Sequence, residues 1–265
     1  MSIDNSLDAS IRRLLRVMKQ LRDPETGCEW DKRQDFLSIS PFTIEEAYEV
    51  VDSIEREDYE SLKAELGDLL LQVVFHSEIA SELGLFKFED VVNSISEKLI
   101  NRHPYVFTEQ RKHTQEEQLD NWEETKSKEK EKKNLDSLMD DLPRNLPALL
   151  RSQKIQKRAG KVGFDWDSEE ICFKKIEEEI AELKEAINSS IKDDIKNELG
   201  DVLISVVNLA KHLKVDAEDS LRQGNLKFEN RFRFIETELK KKNKSLSNTS
   251  LEEMDLLWEK AKQDL

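Results

Sequence analysis

A chain of 265 residues with 57 Asp and Glu against 42 Lys and Arg has a net charge of −15, which repels polyanionic nucleic acid and argues against a DNA- or RNA-coating role. Charged residues make up 37% and aromatics 7%, with 7 Gly and 5 Pro, a balance that suits long solvent-exposed helices and not a turn-rich sheet protein. No apolar run approaches the roughly 18 residues that span a bilayer, residues 1–10 carry no signal-peptide pattern, and Cys28 and Cys172 fit neither a disulfide framework nor a metal-ligand spacing. The expectation is a soluble cytoplasmic protein.

In chain order, Ile11, Leu14, Leu15, Met18 and Leu21 recur at helical spacing. Asp23-Pro24-Glu25-Thr26-Gly27 ends that helix. Pro41 is expected just ahead of a second helix over 42–54. Arg56-Glu57-Asp58 is a polar turn. Asp58 or Ser61 caps a third helix that carries Leu62, Leu66, Leu69, Leu70, Val73 and Val74 and stops near Gly84. A fourth covers 88–102, ahead of Pro104. The charged run 126–133 reads as a solvated helix end or linker. Leu142-Pro143-Arg144-Asn145-Leu146-Pro147 marks a domain boundary. The second half repeats the plan, with a helix over 168–187, a turn at Asn188-Ser189-Ser190 and a helix from 191 to about 213. The fold expected is all-α, two tandem related helical-bundle domains at 1–134 and 151–265 with a linker at 135–150. Two copies are too few for a solenoid.

One acidic pattern is written twice. Glu46, Glu49, Glu65 and Asp68 give Glu-x-x-Glu, a gap, then Glu-x-x-Asp, and Glu179, Glu182, Glu198 and Asp201 repeat it 133 residues later. Residues three apart on a helix differ by about 60° around its axis, so each pair shares a face. Glu46 and Asp68 have their midpoint at residue 57, as do Glu49 and Glu65; in the second half both midpoints fall at Ser190. If the helices fold back antiparallel about these turns, four carboxylates meet at one height. Clustered carboxylates repel unless a counter-ion sits among them, and hard divalent cations prefer oxygen ligands. A single such pair in so acidic a chain would read as a solvated face; two copies in one register read as metal sites. Gly67 and Gly200 sit inside helices at a cost of about 1 kcal/mol each relative to Ala, which close approach of a backbone or ligand would explain.

Cationic and aromatic residues recur too. Lys98 and Arg102, and Lys227 and Arg231, are four apart, suited either to clamping phosphates or to pairing with a neighbouring helix. Trp122 with Lys126, and Trp258 with Lys262, suit a stacked base with a phosphate-reaching lysine, or core packing for the Trp. Trp30 and Trp166 precede the acidic helices and either cover a base or pack. The histidines form no ligand set, and no Gly-rich phosphate loop appears.

Leu21-Arg22-Asp23-Pro24-Glu25-Thr26-Gly27-Cys28-Glu29-Trp30-Asp31, then Thr43-Ile44-Glu45-Glu46-Ala47-Tyr48-Glu49, Glu65-Leu66-Gly67-Asp68 and Arg102-His103-Pro104-Tyr105-Val106-Phe107 together resemble the MazG nucleoside triphosphate pyrophosphohydrolases. Gln153-Lys154-Ile155-Gln156-Lys157-Arg158 and Val162-Gly163-Phe164-Asp165-Trp166 fit the same family, so the resemblance covers nearly the whole chain. It implies domains of the all-α NTP pyrophosphatase type and a homodimer or higher homo-oligomer in which partner helices complete a site. It implies Mg²⁺, with Mn²⁺ as substitute, held by the eight acidic residues, and nucleotide held by Lys227, Arg231, Trp258 and Lys262 and their first-half counterparts Lys98, Arg102, Trp122 and Lys126. Glu179, Glu182, Glu198 and Asp201 are then the catalytic set, with the second half as the main catalytic one. The expected reaction is hydrolysis of NTPs and dNTPs to nucleoside monophosphate and pyrophosphate by metal-activated water, without nucleic acid or membrane partners. The alternatives are a non-catalytic metal- and nucleotide-binding regulatory module, or a pyrophosphohydrolase specific for one modified nucleotide or phosphoribosyl-ATP.

Overall fold

The computed structural model describes residues 2–107, Thr114 and 136–264. All regular structure among them is helical, and no described helix is long and apolar enough to cross a membrane. The charged run 126–133, and with it Trp122 and Lys126, lies outside the described residues. The chain divides into two compact units, Met1–Glu129 and Lys130–Leu265.

The first unit contains α1 (Ser2–Leu21), α2 (Phe36–Glu55), α3 (Tyr59–Glu82), α4 (Phe88–Arg102) and the short α5 (Pro104–Phe107). α2 begins six residues before the expected start at 42, and Pro41 lies inside it. The start signal is a capping box: the Asp35 carboxylate accepts from the Ser38 amide at 2.8 Å, while the Ser38 hydroxyl accepts from the Asp35 amide at 2.9 Å. Pro41 cannot donate to the Leu37 carbonyl one turn back. The Ser40 hydroxyl donates to that carbonyl instead, at 3.0 Å, so the proline is accommodated.

Asp58 caps α3 by accepting from the Ser61 amide and hydroxyl at 3.1 and 2.8 Å. At the other end Gly84 takes φ +69° and the Leu85 amide donates to the Ala80 carbonyl at 2.9 Å, the hydrogen bond that closes a helix ending in a left-handed residue. α2 and α3 pack side by side, and α3 also meets α1 and α4. The core is Met18 from α1, Ile39 from the start of α2, and Val74, Phe75 and Ile79 from the second half of α3. It therefore grips the open end of the α2–α3 hairpin and leaves the end near the turn to solvent.

The loop after α1 is pinned by its own side chains. Asp23 Oδ1 accepts from the Glu25 and Thr26 amides and the Thr26 hydroxyl. The chain then doubles back so tightly that a Cβ on Gly27 would press into the carbonyl oxygens of Leu21 and Asp23. Gly27→Ala is expected to destabilise the first unit by more than about 1 kcal/mol, measured as a shift in the urea midpoint.

The second unit contains α6 (Ala148–Gly160), α7 (Glu169–Ser189), α8 (Lys192–His212), α9 (Ala217–Lys241) and α10 (Leu251–Asp264). Ser168 caps α7 through the Ile171 amide, and Asp216 caps α9 through the Asp219 amide at 2.9 Å. α7 packs along α8, α6 packs on α8 and α9, and α9 pairs with α10 around Ile235, Leu239 and Leu257. Cys172, fully buried, donates its thiol to Asn208 Oδ1 at 3.3 Å and ties α7 to α8. Asp165, in the loop ahead of α7, forms an ion pair with Lys211 and a hydrogen bond with His212 near the end of α8.

Candidate functional site

The two helical hairpins are what position the acidic side chains. In each, the turn is made by a residue in the left-handed region, Glu57 at φ 54° and Ser190 at φ 58°. These are the two midpoints about which the acidic residues are arranged in the sequence. One carboxylate oxygen from each of Glu46, Glu49 and Glu65 lies within 4.8 Å of the other two, and Glu179, Glu182 and Glu198 form the same group in the second unit. Asp68 and Asp201, the fourth residue of each pattern, fall outside these groups and are exposed. Gly67 and Gly200 have open space where a Cβ would stand, so among the described residues no other segment's backbone closes on them.

The electrostatics are those of crowded anions. Burial raises the Glu46 carboxyl above its ordinary value, and the charges of Asp68, Glu49 and Glu65 push it the same way. Glu49 is raised by burial, then by the charge of Glu65 and a hydrogen bond shared with it. In the second unit Glu182 is raised by burial and by Glu179, while Lys175 opposes the rise. Three converging carboxylates with no other donor type form an all-oxygen set that fits a hard divalent cation such as Mg²⁺.

A group whose folded pKa is raised contributes stability below its unfolded value, here 4.5, and loses it as pH rises through the folded value. Glu46→Gln without metal is therefore expected to melt higher than the native chain at pH 7, with the difference shrinking towards pH 4. Thermal melts at the two pH values in chelator check this.

Lys175 was not singled out from the sequence. Its ammonium lies 2.8 Å from Glu179 and 2.9 Å from Glu178, and these hydrogen bonds push its pKa up. The one signal for it is position: it stands four residues before Glu179, on the same helix face. The residue 133 earlier is Phe42, whose ring meets Trp30 edge-on at 6.1 Å, with Trp30 in turn edge-on to Phe75 at 6.5 Å.

The cationic and aromatic candidates group differently from the acidic ones. The Arg231 guanidinium lies over the Trp258 ring at 5.6 Å, and Phe228 stands 4.9 Å from the same ring. Lys262 pairs with Glu259 on α10, and Lys227 is exposed on α9. Among the described residues, no hydrogen bond, ion pair or ring contact joins Lys227, Arg231, Trp258 or Lys262 to the second acidic group. In the first unit Lys98 is exposed and Arg102 buried on α4.

Comparison with known proteins places these features in a family. The model of the MazG nucleotide pyrophosphohydrolase domain matches residues 34–107 and 167–233, which contain both acidic hairpins. The chain is 46% identical over 254 residues to the nucleoside triphosphate pyrophosphohydrolase of Escherichia coli K12, covering 95% of this chain and 97% of the relative. It is 43% identical over 249 residues to the nucleoside triphosphate pyrophosphohydrolase/pyrophosphatase MazG of Thermotoga maritima, covering 94% of each. A nucleoside triphosphate pyrophosphohydrolase of Mycolicibacterium smegmatis shares 37% identity over 150 residues, 56% of this chain and 45% of the relative. With both hairpins inside the matched segments and near full-length relatives at this identity, the chain belongs to the MazG nucleotide pyrophosphohydrolase family and is an enzyme of the hydrolase class.

Proposed function

We propose that this chain hydrolyses nucleoside triphosphates, ribo and deoxy, to nucleoside monophosphate and pyrophosphate in a Mg²⁺-dependent reaction. The observation that carries the reading is the convergence of three carboxylates on each hairpin of a MazG-family chain. Glu179, Glu182 and Glu198 are the ligand set in the second unit and Glu46, Glu49 and Glu65 in the first, with Asp201 and Asp68 one turn beyond Glu198 and Glu65 as further ligands. Mg²⁺ held there supplies charge neutralisation for the triphosphate and a water of lowered pKa. A carboxylate of the cluster would take the proton from the attacking water. Lys227 and Arg231 hold phosphate oxygens, and Trp258, with Arg231 already against one face, holds the base.

That no hydrogen bond or ion pair joins these cations to the acidic group among the described residues supports a homodimer or higher homo-oligomer in which helices of a second copy complete the site. Apolar side chains along α2 and α3 point the same way: Ile44, Tyr48, Leu66 and Leu70 are substantially exposed, and burying them against a second copy removes that surface from water. A cytoplasmic location fits the free thiols of Cys28 and Cys172.

The test is pyrophosphate release from the eight common NTPs and dNTPs, with Mg²⁺ and with chelator. Metal-dependent release across several bases supports the reading. Release from one substrate alone replaces it with a specialised pyrophosphohydrolase, and nucleotide binding without release replaces it with a regulatory module.

A further inference from the structure

The two halves carry the same carboxylates at the same spacing, yet one of the positions at which their charges differ lies directly against a cluster carboxylate. In the second unit Lys175 lies 2.8 Å from Glu179, one of the three carboxylates that converge. In the first unit the corresponding residue, four before Glu46, is Phe42, and its ring is engaged with Trp30. Among the described residues, no Lys or Arg pairs with Glu46, Glu49 or Glu65. Besides burial, the leading charges acting on Glu46 and Glu49 are carboxylates, Glu45, Asp52 and Asp68 in addition to the three themselves.

A cation arriving at the first cluster therefore meets uncompensated negative charge. At the second it must displace an ammonium already bonded to one of its ligands, or coexist with a positive charge beside it. Glu179 is 6% exposed and the Lys175 side chain 30% exposed, so solvent screens that pair only in part.

We infer that the first-half cluster takes up divalent cation from solution without nucleotide, that the second half binds it weakly until an anionic substrate is present, and that Lys175 against Phe42 sets the difference. This rests on the reading that the carboxylate clusters hold metal. Its consequence is a division of labour. The second site loads metal together with nucleotide, because the phosphates supply the negative charge that Lys175 takes away. The first site is loaded beforehand.

Lys175 is a positioning residue here, acting through Glu179. The test is Mn²⁺ binding to the full chain without nucleotide, followed by the electron paramagnetic resonance signal of the free ion. The native chain should show a tight and a weak class of site. Glu46→Gln/Glu65→Gln should remove the tight class, and Glu179→Gln/Glu198→Gln should leave it. Lys175→Met should tighten the weak class by about three- to tenfold, Lys175→Arg should leave it weak, and Phe42→Lys should weaken the tight class. Circular dichroism melts confirm that each variant is folded.

Equal affinity in the two halves of the native chain, or no change on Lys175→Met, overturns this inference and leaves the metal-binding reading standing. Absence of Mn²⁺ binding in both halves, with and without nucleotide, overturns both.

Discussion

Glu198→Gln combined with Asp201→Asn is expected to lower pyrophosphate release by about 100-fold or more, the scale on which losing a charged group aimed at the reacting phosphates acts. Each change keeps the size of the side chain, removes the negative charge and replaces one acceptor oxygen with an NH2 donor. A fall in turnover without a fall in melting temperature therefore reports chemistry and not unfolding. The matching pair in the first half, Glu65→Gln with Asp68→Asn, is expected to cost much less, since the second half is proposed as the main catalytic one. If turnover and Mg²⁺ dependence survive the second-half changes, the assignment of that half is wrong. If the first-half changes cost as much, both halves turn over or each needs the other.

Arg22→Met should have the largest effect on stability of any single change considered. Arg22 is 8% exposed and ties three segments of the first unit together. Its Nε and Nη2 hold both oxygens of Glu82 at 2.8 and 2.7 Å, at the end of α3. Its Nη1 donates to the Asp31 and Gln34 carbonyls, just ahead of α2, and its guanidinium lies 5.2 Å from the Phe75 ring centre. Methionine fills part of the space but strands two carbonyls and a carboxylate. Glu82 is partly exposed, and water recovers some of that loss, so the cost is about 2–3 kcal/mol. Hydrogen exchange of the α3 amides measures it without assuming that the two units unfold together. A loss below about 0.5 kcal/mol would show that the arginine network is dispensable. The substitution leaves both acidic clusters intact, so activity at low temperature should persist.

Much of this architecture is written in short-range spacing. The α2–α3 and α7–α8 hairpins follow from helical periodicity broken at 56–58 and at Ser190, and α4 occupies the expected 88–102. The start of α2 was also local information, carried by Asp35 and Ser38, but Pro41 is the louder signal and points to a later boundary. Its missing hydrogen bond is replaced by a neighbouring serine hydroxyl, a detail that propensity does not report.

By itself the sequence determined that Glu46 with Glu49, Glu65 with Asp68 and their second-half copies share helix faces, because a rotation of about 100° per residue is a property of any α-helix. Their mirror arrangement about residues 57 and 190 set the register in which the hairpins fold. Only the tertiary structure decided that three of the four carboxylates meet within 4.8 Å while Asp68 and Asp201 fall outside that group. It alone decided that Lys175 enters the second cluster and that Arg231 and Trp258 meet each other and not the carboxylates. Those outcomes depend on how closely two helices approach and which rotamers their packing leaves open, and no spacing along one helix encodes that distance.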